Sequence, residues 1–215
     1  MPKLNKKDLL LYLVTDRSWL NGRTLTDVVK DAILGGATMV QLREKHLSDD
    51  EFIKLALEIK QVCSLYHIPL IINDNLNVML KVDADGIHIG QDDLDPYIVR
   101  KQIGDNKILG LSVQTLDQAY KAKAANFEYI GIGAMYPTNT KKDAKYVSIS
   151  TLKDIVNQVN IPSVVIGGIN INNIKEFNNV NINGFALISA ILNNADIVSA
   201  TKQIKQEIRK AIKDE

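Results

Sequence analysis

One pattern constrains this chain more than any other. A short apolar, β-rich run followed by an amphipathic stretch recurs eight times from end to end. Strands are predicted near residues 10–15, 38–43, 70–73, 86–89, 108–113, 129–134, 163–166 and 185–189. Helical patterns lie between and after them, at 25–34, 50–66, 76–82, 96–103, 116–125, 148–159, 171–178 and from 195 to near 213. In the second helix Phe52, Leu55, Ala56, Ile59 and Val62 recur at the 3.6-residue spacing of one buried face. Helix-start signals agree: Ser48 ahead of Asp49, Asp50 and Glu51, then Thr115 and Ser148.

Strand followed by helix, repeated, predicts parallel strands joined by right-handed crossovers. Eight units in 215 residues give about 27 residues each, the compact end for a (β/α)8 barrel. An open doubly wound sheet carries fewer strands, and its dinucleotide fingerprint is missing. Gly131-Ile132-Gly133 is followed by Ala134, Met135 and Tyr136, without the third glycine. No Pro-, Gly- or Ser-rich linker divides the chain. The expected fold class is therefore α/β, a single (β/α)8 TIM barrel with residues 1–215 in one domain.

Composition limits the partners. Lys+Arg number 26 and Asp+Glu 25, a formal net charge of +1, which argues against a nucleic-acid or anionic-membrane surface but not against a local anion pocket. An apolar share of 46% excludes wholesale disorder. The single cysteine, Cys63, excludes an internal disulfide framework and a cysteine-based zinc or iron–sulfur site; within a helical pattern it reads as a plain structural thiol. The first apolar run, residues 9–14, is too short for a signal-peptide core or a membrane span. A soluble, cytoplasmic protein is expected.

Barrel enzymes carry chemistry at the C-terminal ends of their strands. The second predicted strand runs into Gln41-Leu42-Arg43-Glu44-Lys45. Period-two alternation puts Gln41, Arg43 and Lys45 on one face and Val40 and Leu42 on the other. Val40 and Leu42 suit the strand–helix layer, so Gln41 and Arg43 should point toward the barrel mouth. An inward arginine is costly unless it meets an anion; a structural ion pair with Glu44 or a neighbouring loop is the alternative. The third strand ends in Asn73-Asp74 and the fourth runs into Gly90-Gln91-Asp92-Asp93. Neighbouring strands lie about 4.8 Å apart, so carboxylates leaving their tops can share a metal ion. Two carboxylates with waters and phosphates suit Mg²⁺, whereas helix N-caps are the other use for Asp74 and Asp92. His88, between glycines at 86 and 90, reads as a hydrogen-bonded structural residue rather than a base.

Ser112 ends the fifth strand and can donate into the mouth. Residues 135–143 form the longest polar connection, with Thr138, Thr140, Lys141 and Lys142 able to close over a phosphorylated ligand, a plain surface loop being the alternative. Gly167-Gly168 and Ile188-Ser189 end the last two strands, where many barrels hold a phosphate on backbone N–H groups. That feature specifies phosphate and no reaction. An anion site beside strands 2–4 and another beside strands 7–8 suggest two phosphorylated reactants.

With these residues in place, the sequence resembles the thiamine phosphate synthase family over nearly its whole length. The resemblance is carried by Tyr12-Leu13-Val14-Thr15-Asp16, QLREK at 41–45, Ile72-Asn73-Asp74, Gly86-Ile87-His88-Ile89-Gly90-Gln91, Pro137-Thr138-Asn139-Thr140-Lys141-Lys142-Asp143, Gly167-Gly168-Ile169 and Ile188-Ser189. It implies a Mg²⁺-dependent transferase of thiamine biosynthesis that couples a hydroxymethylpyrimidine diphosphate to a thiazole phosphate and releases pyrophosphate. By that resemblance Gln41, Leu42, Arg43, Glu44, Lys45, Asn73, Ser112 and Lys141 contact the pyrimidine diphosphate. Thr138, Thr140, Gly168, Ile188 and Ser189 contact the thiazole phosphate, and Asp74 and Asp93 hold Mg²⁺. Arg43, Lys45, Lys141 and Ser112 are the residues expected to act on the reaction itself. Two departures are His46 after QLREK, and Asn75 where a basic residue is frequent. A related thiazole tautomerase is a competing reading; that branch resembles this chain but carries a histidine at the end of strand 6, where Ala134 stands. A non-catalytic barrel that senses thiamine precursors is another. Neither nucleic acid nor membrane is an expected partner, and a homo-oligomer is left open.

Overall fold

The computed structural model describes residues 4–138 and 145–212. Eight parallel strands close on themselves in sequence order: β1 Leu11–Val14, β2 Met39–Leu42, β3 Leu70–Asn73, β4 Gly86–Ile89, β5 Ile108–Val113, β6 Tyr129–Ile132, β7 Ser163–Ile166 and β8 Gly184–Leu187. Closure is made by β8 beside β1, with Leu11 opposite Phe185 and Leu13 opposite Leu187. Outside lie α1 Leu25–Leu34, α2 Asp49–Leu65, α3 Leu76–Val82, α4 Pro96–Ile103, α5 Leu116–Ala124, α6 Ile149–Val159, the short α7 Ser189–Leu192 and α8 Ile197–Ile212. The expected (β/α)8 TIM barrel is what the chain forms.

Side-chain alternation separates two apolar layers. Tyr12, Val14, Met39, Ile71, Ile108, Tyr129, Val164 and Ala186 fill the barrel interior. Their strand neighbours, among them Leu11, Leu13, Val40, Leu42, Ile72, Ile87, Leu109 and Val165, pack outward against the helices. Burying each such Leu or Ile contributes roughly 1.5–3 kcal/mol. Strand ends read longer in the sequence than they are because residues such as Arg43, whose N–H donates to the Thr15 hydroxyl, leave the ladder to form the mouth. The helix starts are closed as the polar residues indicate: Ser48 and Thr115 each form a capping box, with Glu51 and Gln118, and Ser148 accepts from the Thr151 N–H.

The expected helix at 171–178 is a correction. Only Ile174–Phe177 coils there, as a 3-10 turn. Asparagine side chains take the backbone groups a helix would need: Asn173 Oδ1 accepts from Asn170 N, and Asn170 Oδ1 from Asn172 N. The expected C-terminal helix forms as α8, and the short α7 is an addition directly after β8, where the strand was expected to run on to residue 189.

Candidate active site

The residues singled out above gather at the C-terminal ends of β2–β5. Gln41 and Asn73 are buried at the floor of the mouth, and Gln41 Nε2 donates to the Tyr12 hydroxyl at 2.8 Å. Above them Arg43 is largely buried. Its backbone N–H donates to Thr15 Oγ1 at 2.9 Å, and its guanidinium stands 3.7 Å from Asp16 Oδ2. Of the two ion-pair alternatives for Arg43, the neighbouring β1 loop is the one realised, at long range. Glu44 is held instead by Arg17, whose Nε donates to both carboxylate oxygens at 2.8 and 3.0 Å. The Glu44 side chain is 5% exposed and thus turned into the protein. Leu42 is fully buried in the outer layer, so its side chain faces the helices and only its backbone borders the mouth.

Lys45, Asp74 and Asp93 form a second group. Lys45 Nζ donates to Asp74 Oδ2 at 2.5 Å, and Asn73 Nδ2 donates to Asp74 Oδ1 at 2.8 Å. Asp74 adopts a left-handed conformation, φ 61°, which Asp tolerates better than most residues, and its N–H donates to the His88 carbonyl at 2.9 Å. That turn brings its carboxylate toward the β4 loop, within hydrogen-bonding reach of Asp93. Burial and the Asp93 charge push the Asp74 carboxyl above its usual value, against the opposing pull of Lys45. Asp93 Oδ2 also accepts from Gly90 N at 2.5 Å, folding the loop back over the top of β4.

The capping role considered for Asp74 and Asp92 belongs to other residues. Asn75 caps α3, accepting from Val78 N, and Asp95 caps α4 ahead of Pro96. Asn75 additionally donates to Asp49 at the start of α2, a structural use of the position that departs from the family pattern. The carboxylates of Asp74 and Asp93 are thus a like-charged pair with no capping duty. Crowding of a partly desolvated carboxylate by another is what a dication relieves, and hard oxygens fit Mg²⁺. Among the described residues no cluster of three or more His, Cys, Asp or Glu side chains forms a metal site. Two carboxylates would leave the other positions to water and phosphate.

On the far side, Gly167 and Gly168 have φ of 98° and 64°. A Cβ at Gly168 would lie 2.5 Å from the Pro137 carbonyl oxygen and 2.7 Å from Tyr136 Cβ. Glycine is therefore required for the β6 and β7 loops to touch, with Tyr136 N donating to the Gly167 carbonyl at 3.1 Å. Asn173 and Asn170 donate to the Gly168 carbonyl at 3.1 and 3.4 Å, orienting that peptide. Nothing in the local sequence marks these asparagines; the fold shows what they hold. Ile188 precedes α7 and Ser189 opens it, just beyond the end of β8, the strand next to β7. Thr138 is partly buried in the β6 loop; Thr140 and Lys141 lie outside the described residues.

A family profile described as "Thiamine monophosphate synthase" matches residues 11–191. The chain belongs to the thiamine phosphate synthase family. It is 50% identical over 206 residues to a protein of Clostridium botulinum (strain Eklund 17B / Type B) named thiamine-phosphate synthase, covering 96% of this chain and 97% of the relative. To the protein of that name from Clostridium tetani it is 53% identical over 197 residues, 92% of this chain and 94% of the other. Among solved structures it is similar to a thiamine phosphate pyrophosphorylase from Pyrococcus furiosus, with a TM-score of 0.88, 32% identity, and coverage of 96% of this chain and 98% of that one. The family's fold is accordingly the barrel described above. Burial pushes the Cys63 thiol up to about 12, in keeping with an inert structural residue. No helix among the described residues is long and apolar enough to cross a membrane.

Proposed function

We propose that the barrel mouth joins 4-amino-2-methyl-5-(diphosphooxymethyl)pyrimidine to a thiazole phosphate, giving thiamine phosphate and pyrophosphate. The chain is a transferase of thiamine biosynthesis, as its family membership over 181 matched residues requires. The observation that carries the mechanistic reading is the convergence of Lys45, Asp74 and Asp93, beside Arg43, at adjacent strand ends.

In this mechanism the bond between the pyrimidine methylene and its diphosphate oxygen breaks, and the electron pair leaves with pyrophosphate. The electron-rich aminopyrimidine delocalises the positive charge left on the methylene carbon. Arg43, Lys45 and Lys141 oppose the charge growing on the leaving group, a preorganised electrostatic role. Asp74 and Asp93 are the residues that would hold Mg²⁺, which when bound supplies Lewis-acid stabilisation of the diphosphate. Gln41, Asn73, Ser112 and the backbone around Leu42 orient the pyrimidine diphosphate, and Glu44 acts through its pair with Arg17. Thr138, Thr140, Gly168, Ile188 and Ser189 hold the thiazole phosphate so that its ring nitrogen attacks the same carbon. No acid–base or nucleophilic side chain is called on. Ala134 offers no proton where the tautomerase alternative needs a histidine.

This reading treats residues 1–215 as one catalytic domain working in the cytoplasm on small molecules, with nucleic acid and membrane outside its partners. The deciding experiment incubates the protein with both phosphorylated precursors, with and without Mg²⁺, and monitors thiamine phosphate. Product dependent on the ion is expected. No product with any divalent ion rejects the activity and leaves the precursor-sensing alternative.

A further inference from the structure

A polar chain crosses the otherwise apolar barrel interior beneath the mouth. Gln41 Nε2 donates to the Tyr12 hydroxyl at 2.8 Å, and Tyr12 meets the Tyr129 hydroxyl at 2.8 Å. Tyr129 in turn meets His88 Nδ1 at 2.9 Å, and His88 Nε2 meets Ser112 Oγ at 3.0 Å. Tyr12 and Tyr129 are essentially sealed from solvent. The Tyr129 ring occupies space that only a glycine at 110 leaves, since a Cβ there would lie 2.2 Å from its Cζ. Burial pushes both phenols above their usual range, so they stay protonated and donate.

The donors fix one proton order. Gln41 enters as a donor, so Tyr12 accepts there and its own hydrogen goes to Tyr129. Tyr129 then donates to His88 Nδ1, which must be bare. His88 therefore carries its hydrogen on Nε2 and donates it to Ser112 Oγ, leaving the Ser112 hydrogen for the mouth. The reverse order would strand the Tyr12 hydroxyl hydrogen in a buried site with no acceptor among the described residues.

We propose that His88 is a positioning residue, held by Tyr12 and Tyr129 in the Nε2–H tautomer so that Ser112 presents a hydrogen-bond donor to the pyrimidine diphosphate. The acceptor is a lone pair on that substrate, a diphosphate oxygen or a ring nitrogen. The inference rests on the proposed reaction for its substrate but not for its proton order. Neutral imidazole serves here as an insulated relay of orientation, with no proton transferred.

The test uses the full-length protein and two readouts. Imidazole ¹⁵N shifts of His88 are expected to show a protonated Nε2 and a bare Nδ1, and Tyr129→Phe is expected to erase that preference. Losing a direct oxyanion donor costs about 10²–10³ in turnover; one bond removed, His88→Leu is expected to lower kcat about tenfold, with KM for the thiazole phosphate unchanged. His88→Gln, which keeps an amide donor near the Nε2 position, is expected to recover most of the loss. In a Ser112→Ala background the His88→Leu substitution should add nothing further. A protonated Nδ1 in the unsubstituted protein overturns the proposal, as does a His88→Leu loss of equal size with and without Ser112. Where His88→Leu does not fold, Tyr129→Phe supplies the same comparison. If the unsubstituted chain makes no thiamine phosphate, the reaction falls, while the nitrogen spectrum still decides the proton order.

Discussion

Replacing Arg17 with Met separates a support from a substrate contact within the QLREK segment. Glu44 accepts both of its hydrogen bonds from Arg17 Nε, at 2.8 and 3.0 Å, and its side chain is 5% exposed against 48% for Arg17. A hydrogen bond to a charged group contributes about 1.5–3 kcal/mol. Half exposure of Arg17 lets water replace part of it, so Arg17→Met should cost about 1–2 kcal/mol. In a chain of this size that lowers Tm by about 3–6 °C. Glu44→Gln keeps the shape and removes the buried charge, so the double variant should be little worse than Glu44→Gln alone. Urea unfolding of the four proteins, at unchanged m, should give a coupling of about 1 kcal/mol or more. Because the pair steadies the backbone between Arg43 and Lys45, KM for the pyrimidine diphosphate should rise about three- to tenfold in Arg17→Met, by roughly 1 kcal/mol of lost binding. KM for the thiazole phosphate should not change. Additive stabilities within about 0.5 kcal/mol, or a KM effect confined to Glu44→Gln, would refute the reasoning and return Glu44 to direct contact with substrate.

Asp93→Asn removes one of two crowded carboxylates, so turnover in Mg²⁺ should fall by about 10²-fold or more while thermal stability is kept or slightly raised; unchanged turnover removes the metal assignment. Gly168→Ala forces a side chain into a φ of 64° and against the Pro137 carbonyl; it should cost about 1–3 kcal/mol in urea unfolding and raise KM for the thiazole phosphate selectively. Lys107 holds the Asp83 carboxyl below its ordinary value of 3.8, first by a hydrogen bond and then by its charge. A depressed carboxyl stabilises the fold above its unfolded pKa and loses that contribution as pH falls through the folded value. Asp83→Asn should therefore weaken the protein at pH 7, match the parent at a pH well below 3.8, and flatten the acid limb of a stability–pH curve; parallel limbs would contradict it.

The barrel is legible in the sequence because its two apolar layers obey a period of two along every strand. Val40 and Leu42 outward against Gln41 and Arg43 inward is a pattern that one residue of slippage would invert, and the structure keeps it. The segment at 171–178 shows where such reasoning fails. Ile171, Ile174 and Phe177 are spaced as a helix face, but asparagine side chains compete for the same backbone groups, and that competition is decided by the neighbouring Gly168 carbonyl, far from local propensity. The helix starts at 76 and 96 are as expected, but the capping side chain is not legible there, since Asn73, Asp74 and Asn75 in one loop and Asp92, Asp93 and Asp95 in the other are all chemically able to cap. Only the turn at Asp74, with its positive φ, decides which side chain is left for the mouth.

The site divides along the same line. Rim residues stand out in the sequence because an arginine, a lysine and two aspartates cluster at successive strand ends, although ion pairs and helix caps use the same residue types. What stands behind them does not. Arg17 reaches Glu44 across 27 positions, and Tyr129 reaches Tyr12 across 117. Nothing local marks either tyrosine as polar machinery, for each sits in a strand as a large buried ring would. A reaction that asks only for charge compensation and alignment needs its rim groups held still, and holding them requires buried partners from elsewhere in the barrel. His88 illustrates the consequence: between two glycines it reads as a structural histidine, and its partners make it so. Yet its Nε2 faces Ser112 at the edge of the mouth. In a barrel whose interior is one polar chain among apolar rings, the structural role and the positioning role are performed by the same hydrogen bond.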